Sequence, residues 1–415
     1  MRTVAPLLLF FILPFISFSQ ITETPPPNFI KTISFGSGNN WGGIPIIKLG
    51  KPIILEFDDI IGDEADYYYS IEHFNFDWTP SGLAESEYLE GFDNIRISNY
   101  ENSFNTLQIY SHYSLRIPNT DTRALKLSGN YLLSILDANQ NVVFSKKFII
   151  YEPITKVGVQ IKRSRDLSVI EEKQVVHFTI NSEELILKNP EENVKTLVLQ
   201  NGNLKSAKTH LKPQYTLGTE LVYKYDQEAS FWGGNEFLEF DNKDLRAATM
   251  NVRFVELEDL YHHYLFSNFV RSTRPYTYNP DINGGFLVRT LQGQNPDVEA
   301  EYVWVHFTLE SYQPMGNGKL YIYGGFNHFN ISEETELTYN YNTGLYETAL
   351  LIKQGFYNYK YVYVDGNGEV VPGFVSGNFD ETENEYQVVV YYRDIGGRYD
   401  RVIGMGTGNS SNITN

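Results

Sequence analysis

Cysteine is absent from the 415 residues of this chain. Its absence excludes disulfides, a cysteine nucleophile, thiolate-bound zinc and iron–sulfur clusters. It also excludes a lipid anchor attached through a cysteine. We therefore expect the fold to be held together by its apolar core, which is feasible for a chain of this length.

Positive charge is also scarce. The chain has 33 Lys and Arg residues against 51 Asp and Glu residues, which gives a formal net charge of −18 at pH 7. Such a surface repels the phosphate groups of nucleic acids and of anionic lipids. The composition therefore argues against nucleic acid as a partner and against direct adhesion to a membrane.

Long apolar runs are missing after the first residues. Residues 4–18 are apolar apart from two prolines and one serine, but this run falls short of the ~20 residues that span a bilayer. Ser17 and Ser19 are the small residues expected just before a cleavage site at Gln20. We predict a cleaved signal peptide at residues 1–19, export across the inner membrane, and a mature chain with no membrane span.

Aromatic residues are abundant: the chain has 31 Tyr and 27 Phe but four Trp. Tyr and Phe favour half-buried β-strands, and short apolar runs separated by Gly, Asn, Asp and Pro recur along the sequence. This pattern is typical of strands joined by turns. It predicts an all-β fold of tandem antiparallel β-sandwiches, immunoglobulin-like or early-set-like, with little helix.

Breaks in the pattern divide the predicted mature chain. Glu152-Pro153 ends the first group of strands, and the prolines at 275 and 280 end the second. The last residues are small and polar, which is typical of a frayed end. The predicted units are an N-terminal β-sandwich at 20–153, a second β-rich domain at 154–280, a C-terminal sandwich at 281–400 and a flexible tail at 401–415.

Candidate metal ligands are weak. His262 and His263 are neighbours, so their side chains point to opposite faces of a strand and cannot reach one ion. An acidic cluster at residues 58–66 could hold calcium weakly, although a solvated acidic turn explains it better. Because Val142 and Phe148 occupy the positions where an EF-hand needs Gly and Glu, the loop that begins at Asp137 is interpreted as a hairpin.

Catalytic motifs are equally poor. The sequence has no Gly-x-Ser-x-Gly elbow, and the glycines at 404–408 do not follow a βα unit. We predict no catalytic site, no cofactor and no metal, and hence no enzyme.

Aromatic residues in turns and in a long irregular segment suggest a protein partner, since Trp and Tyr dominate binding hot spots. The candidates are Trp78, Tyr88, Phe92, Tyr100, Phe104, Phe326 and Phe329. An alternative is that the turn at 325–329 stacks on sugars, as in starch-binding-like modules. The absence of a Trp from that turn weakens this alternative but leaves it open.

Four stretches carry a family resemblance. They are residues 67–118, which begin YYYSIEHFNFDWTP, VGVQIKRS at 157–164, FWGGNEF at 231–237 and DINGGF at 281–286. Together they resemble the plug proteins of the type IX secretion system.

The resemblance implies a non-enzymatic periplasmic protein at the inner face of the outer membrane. It would bind the periplasmic end of the giant translocon β-barrel, as a monomer within the complex, and close its pore between secretion events. The alternative function is a glycan-binding protein.

Overall fold

The computed structural model describes residues 21–38 and 42–413. Over these residues the regular secondary structure is almost entirely β-strand, and the three α-helices have four residues each. The prediction of an all-β fold of sandwiches with little helix is confirmed. The predicted signal peptide at 1–19 lies outside the described residues.

The first sandwich packs two sheets face to face, with strand orders β1-β3-β8-β7 and β2-β11-β10-β4-β6, and β5 pairs with β9 beside them. Its strands are β1 (Ile30–Gly36), β2 (Ile46–Lys48), β3 (Ile53–Asp59), β4 (Tyr68–Phe74), β5 (Leu89–Gly91), β6 (Ile95–Arg96), β7 (Tyr100–Asn102), β8 (Ser111–Ile117), β9 (Thr122–Leu125), β10 (Gly129–Leu136) and β11 (Val142–Tyr151). Most pairs are antiparallel, but β2 runs parallel to β11. Helix α1 (Glu85–Tyr88) precedes β5.

Alternation along β3 shows how the sequence forms this core. Ile53, Leu55 and Phe57 are at most 2% exposed and belong to one apolar cluster between the two sheets. Glu56 and Asp58 point to the other face, as period-two alternation requires. Asp58 is nevertheless fully buried, so another part of the chain must cover that face.

The second sandwich packs a sheet of order β12-β13-β17-β16, with β18 beside β13, on a sheet of order β15-β14-β29-β30. Its strands are β12 (Lys156–Arg163), β13 (Lys173–Asn181), β14 (Val194–Gln200), β15 (Lys208–Thr209), β16 (Tyr215–Leu217), β17 (Glu220–Tyr223), β18 (Ser230–Trp232), β29 (Glu385–Tyr392) and β30 (Arg401–Asn409). Helix α2 (Pro190–Asn193) leads into β14.

The third unit is one ten-stranded sheet of order β19-β28-β25-β26-β27-β24-β21-β20, with β22 beside β24 and β23 beside β28. Its strands are β19 (Leu238–Asp241), β20 (Val252–Leu257), β21 (Tyr261–Leu265), β22 (Asn268–Phe269), β23 (Phe286–Val288), β24 (Tyr302–Glu310), β25 (Lys319–Tyr323), β26 (Glu336–Asn340), β27 (Leu345–Lys353) and β28 (Gly355–Val364). Strand β26 pairs with both β25 and β27, so the sheet folds over its own apolar core.

Short helices complete the fold. Helix α3 (Pro296–Glu299) begins with a proline, and the Asn295 side chain accepts a hydrogen bond from the Asp297 amide at 3.3 Å. Both features favour a helix start. The 3₁₀ helices are Leu204–Ser206, Gly325–Asn327, Glu333–Thr335 and Ser410–Asn412.

The strands group differently from the predicted units. Strand β29 pairs with β14 in the second sandwich, whereas β19 to β22 pair into the third unit. The third unit is thus inserted between β18 and β29. Composition breaks did not reveal this, because pairing between strands almost 200 residues apart leaves no local signal.

The predicted flexible tail begins with a strand. Arg401–Asn409 forms β30, which pairs with β29 and packs against β12. A Cβ added to Gly406 would lie 2.5 Å from the backbone oxygen of Val157, and one on Gly408 would lie 2.8 Å from Val159. These glycines therefore allow close packing of the strands, although a segment of small, polar residues is also typical of a frayed end.

An additional apolar cluster joins the first two sandwiches. Ile149 of β11 packs with Leu197 and Leu199 of β14 and with Val389 and Tyr391 of β29, and all five are at most 6% exposed. The Tyr391 hydroxyl also donates a hydrogen bond to the buried amide oxygen of Asn130 at 2.7 Å. The sheet that contains β14 and β29 is thus covered on both faces.

Candidate partner-binding surface

The loop between β7 and β8 carries exposed apolar side chains. Phe104 is 68% exposed, Leu107 53% and Ile109 58%, and Ile61, in the turn after β3, is 51% exposed. The Ile109 side chain reaches the turn at Gly62, where an added Cβ would meet it at 3.2 Å. We call these four residues, Ile61, Phe104, Leu107 and Ile109, the apolar loop patch.

Backbone hydrogen bonds fix this loop against the third unit. The Phe104 amide donates to the carbonyl of Val298 at 2.8 Å. The amides of Leu107 and Gln108 donate to the two carboxylate oxygens of Glu301, at 2.5 and 3.0 Å. Burial raises the pKa of Glu301, although these amides oppose the rise. The loop is therefore ordered, and these hydrogen bonds hold it in a conformation in which its apolar side chains face solvent.

A buried ionic network lies beside the loop. The Lys353 ammonium and the Tyr302 hydroxyl donate to Oδ2 of Asp58 at 2.7 and 2.6 Å, and Nδ1 of His112 lies 2.7 Å from Oδ1. Burial raises the pKa of Asp58, but Lys353 and His112 outweigh it and hold that pKa below its usual value. The network joins the first sandwich to β24 and β27 of the third unit, which explains why Asp58 on the outer face of β3 is buried.

Two of the predicted partner-binding residues are well exposed. Phe92 is 71% exposed and Phe104 68%. Both lie in loops of the first sandwich, and Phe104 belongs to the apolar loop patch. The other members of that patch, Ile61, Leu107 and Ile109, were not among the predicted residues.

Two of the predicted residues are buried. Tyr88 is 7% exposed, and its hydroxyl donates to the carbonyl of Ile71 at 3.0 Å inside the first core. Phe329 is 5% exposed and packs against the ring of Tyr323. Their rings are therefore closed to a partner in this structure, and the ring of Phe329 is closed to a sugar as well. Tertiary packing over these turns could not be seen in the sequence.

Three further predicted residues are half-buried. The ring of Trp78 is covered by the ammonium of Lys147, 4.3 Å from its centroid. Tyr100 stacks on Tyr113 within β7 and β8. Phe326 meets the ring of Tyr357 edge to face. Each of them is partly used by the fold itself.

The acidic cluster at residues 58–66 does not converge on one point. Asp58 belongs to the buried network, and Asp59 accepts from the Tyr67 hydroxyl at 2.7 Å. Glu64 accepts from Tyr100 and Asn102 on β7, and Asp66 pairs with Arg96 at 2.6 Å. Separate partners spread these carboxylates apart, which favours the interpretation as an acidic turn over a calcium loop.

The two neighbouring histidines point apart, as strand alternation requires. His263 is buried, and its Nε2 lies 3.1 Å from the carbonyl oxygen of Leu245. Nδ1 of His262 lies 2.8 Å from Nε2 of His306 on the adjacent strand.

No helix within the described residues is long and apolar enough to cross a membrane.

Comparison with known families identifies the first sandwich. Residues 30–152 match the model of the type 9 secretion system plug protein 1st domain. The chain belongs to the type IX secretion system plug protein family. The suspected resemblance is thereby confirmed, and the chain has a role related to type IX secretion.

A solved structure extends the likeness to the other units. A hypothetical protein from Parabacteroides merdae is 31% identical, with a TM-score of 0.88, and the alignment covers 94% of this chain and 100% of that one. No curated protein matches. The fold of this chain thus resembles that of the Parabacteroides merdae protein over nearly its whole length, and not in the matched domain alone.

Proposed function

We propose that the protein is a non-enzymatic periplasmic plug. It binds the periplasmic end of the giant β-barrel translocon of the type IX secretion system and closes the pore between secretion events. The match of residues 30–152 to the first domain of this family carries the proposal. Its place would be the inner face of the outer membrane.

The build of the molecule supports this function. A plug must span a wide opening, and a barrel of ~36 strands is roughly 70 Å across. A compact chain of about 400 residues has a radius of gyration of ~21 Å and is thus about 55 Å wide. One sandwich alone would be too narrow. The whole chain could close the opening of the barrel once inward-folded barrel loops have narrowed that opening.

Firm junctions between the sandwiches also suit a plug. The apolar cluster around Ile149 and the buried pair of Asp58 and Lys353 link the units through groups that are almost fully removed from water. Small polar interfaces between domains permit relative motion, whereas apolar and buried contacts oppose it. A body that resists bending can block a pore against diffusing solutes.

The apolar loop patch is the contact that we propose for the barrel. It lies in the matched domain, is presented by an ordered loop and the turn after β3, and exposes four large apolar side chains. Burying such side chains contributes about 1.5–3 kcal/mol each, so a few of them give a moderate affinity. A moderate affinity allows release when cargo arrives.

Deletion of the gene tests the plug. In a bacterium that carries the translocon, loss of this protein should make the outer membrane permeable to large antibiotics, and a further deletion of the barrel should reverse this. Unchanged permeability in the first strain would refute the proposed function.

Co-purification tests the contact surface. Phe104→Asp combined with Leu107→Asp should reduce recovery with the tagged barrel at least tenfold, because charge replaces apolar contact. Tyr312→Asp is the matched control, since Tyr312 is fully exposed on the third unit. Normal recovery of the double variant would show that the patch is not the contact, and failure to recover the wild-type protein would count against the plug itself.

A further inference from the structure

We propose that Glu56, His112 and Asp297 form a binding site for a divalent transition-metal ion, with Zn²⁺ the ion that suits it best. One ligand atom from each residue can be chosen so that all three lie within 4.8 Å of one another. Glu56 is on β3 and His112 on β8 of the first sandwich, whereas Asp297 is in α3, just before the third unit's strand β24. The site therefore lies across the junction of two units.

Strand register places the first two ligands. Asp58 of β3 pairs directly with His112 of β8, and Ser114 pairs with Glu56. Glu56 lies two residues before Asp58, so both side chains leave the same face of the sheet. That face is turned toward α3, which brings Asp297 to the same point.

The imidazole of His112 is oriented as a metal ligand. Asp58 is fully buried and is already fixed by Lys353 and Tyr302. Its carboxylate can only accept, so Nδ1 of His112 is the donor at 2.7 Å. In the neutral imidazole Nε2 then carries the lone pair, and none of its hydrogen bonds is found among the described residues. A carboxylate behind a histidine is the usual arrangement at zinc sites, where it fixes the tautomer and raises basicity.

Space and charge at this point suit a cation. A cavity of about 150 Å³ lies between the ligands, and Glu101, Asn99 and Ser114 also line it. The cavity has room for an ion with water in a fourth position. Near it, Lys353 is the buried ammonium that faces Asp58, so the carboxylates outnumber the cations.

The donor set selects the kind of ion. One imidazole nitrogen and two carboxylates form a three-ligand site with an open position, which Zn²⁺ accepts. Calcium needs six to eight oxygen ligands, and a histidine at the centre disfavours it. The bound ion would clamp the first sandwich to α3 and so stabilise the junction by mass action.

Titration of the metal-stripped mature protein with ZnCl₂ tests the proposal. We expect one equivalent of Zn²⁺ to bind and to raise the midpoint of thermal unfolding. Co²⁺ in place of Zn²⁺ should give visible absorption typical of tetrahedral coordination. Asp297→Asn should weaken Zn²⁺ binding at least tenfold. This residue is exposed, so the variant should still fold.

His112→Gln should likewise weaken binding at least tenfold. The matched control is His306→Gln, which removes the histidine that lies 2.8 Å from His262 and should leave the Zn²⁺ affinity unchanged. Absence of stoichiometric binding to the wild-type protein would overturn the proposal. So would equal affinities of the wild-type, Asp297→Asn and His112→Gln proteins, or a loss of the bound equivalent in His306→Gln. None of these results bears on pore closure, which is tested separately.

Discussion

Replacing Lys353 by Met should strongly destabilise the protein. The Lys353 ammonium is 1% exposed, and its partner Asp58 is fully buried at 2.7 Å. Removing one member of a buried ion pair leaves the other charge uncompensated, at a cost of about 3–5 kcal/mol. Tyr302 and His112 still hold Asp58 in the variant, so we expect the lower half of that range. Urea unfolding followed by tryptophan fluorescence measures the difference.

The pH dependence of this loss has a definite sign. In the wild-type protein the pKa of Asp58 is held below its usual value, so its contribution to stability is present above the unfolded pKa and is lost as pH falls through the folded pKa. Without Lys353 the pKa of Asp58 should rise, and protonation then relieves the buried charge. The difference between variant and wild type should therefore shrink between pH 7 and pH 4.

Two further variants test this reasoning. Asp58→Asn combined with Lys353→Met should recover part of the loss, because no charge is then left buried. Lys319→Met removes an exposed partner of Glu336 in the same unit and should change little. A loss below about 1 kcal/mol for Lys353→Met, where a buried pair would cost about 3–5, would refute the description of this pair as a buried clamp.

Three other predictions concern stability. Leu199→Ala should lower the free energy of unfolding by about 2–5 kcal/mol, because it opens a cavity in the interface cluster; urea unfolding measures this. Tyr391→Phe should cost about 1–3 kcal/mol, because Asn130 keeps a buried acceptor without a donor. Burial lowers the pKa of His73 and His263 to about 4, so stability should fall as pH drops from about 6.5 to 4, and His263→Gln should flatten the curve.

Several features followed from local sequence. Short apolar runs bounded by turn residues predicted strands, and β3 is one of them. The alternation of side chains along a strand separated His262 from His263. The quoted segments identified the plug family, because such motifs are contiguous and need no knowledge of the fold.

The candidate site was only partly foreseen. Phe92 and Phe104 are exposed as the prediction of a binding surface requires, whereas Tyr88 and Phe329 are buried. The sequence does not show whether an aromatic residue in a turn packs inward or faces solvent. Its burial depends on which elements cover the turn. Those elements are often distant in the chain.

The sequence by itself determined an acidic, cysteine-free all-β chain of the plug family, because composition, periodicity and motifs are local properties. Tertiary structure alone decided that β29 and β30 return to the second sandwich, that Asp58 is buried against Lys353, 295 residues away, and that Asp297 meets Glu56 and His112. Contacts of this kind depend on how whole sheets dock. A side chain that alternation turns toward solvent becomes buried when another sheet covers it.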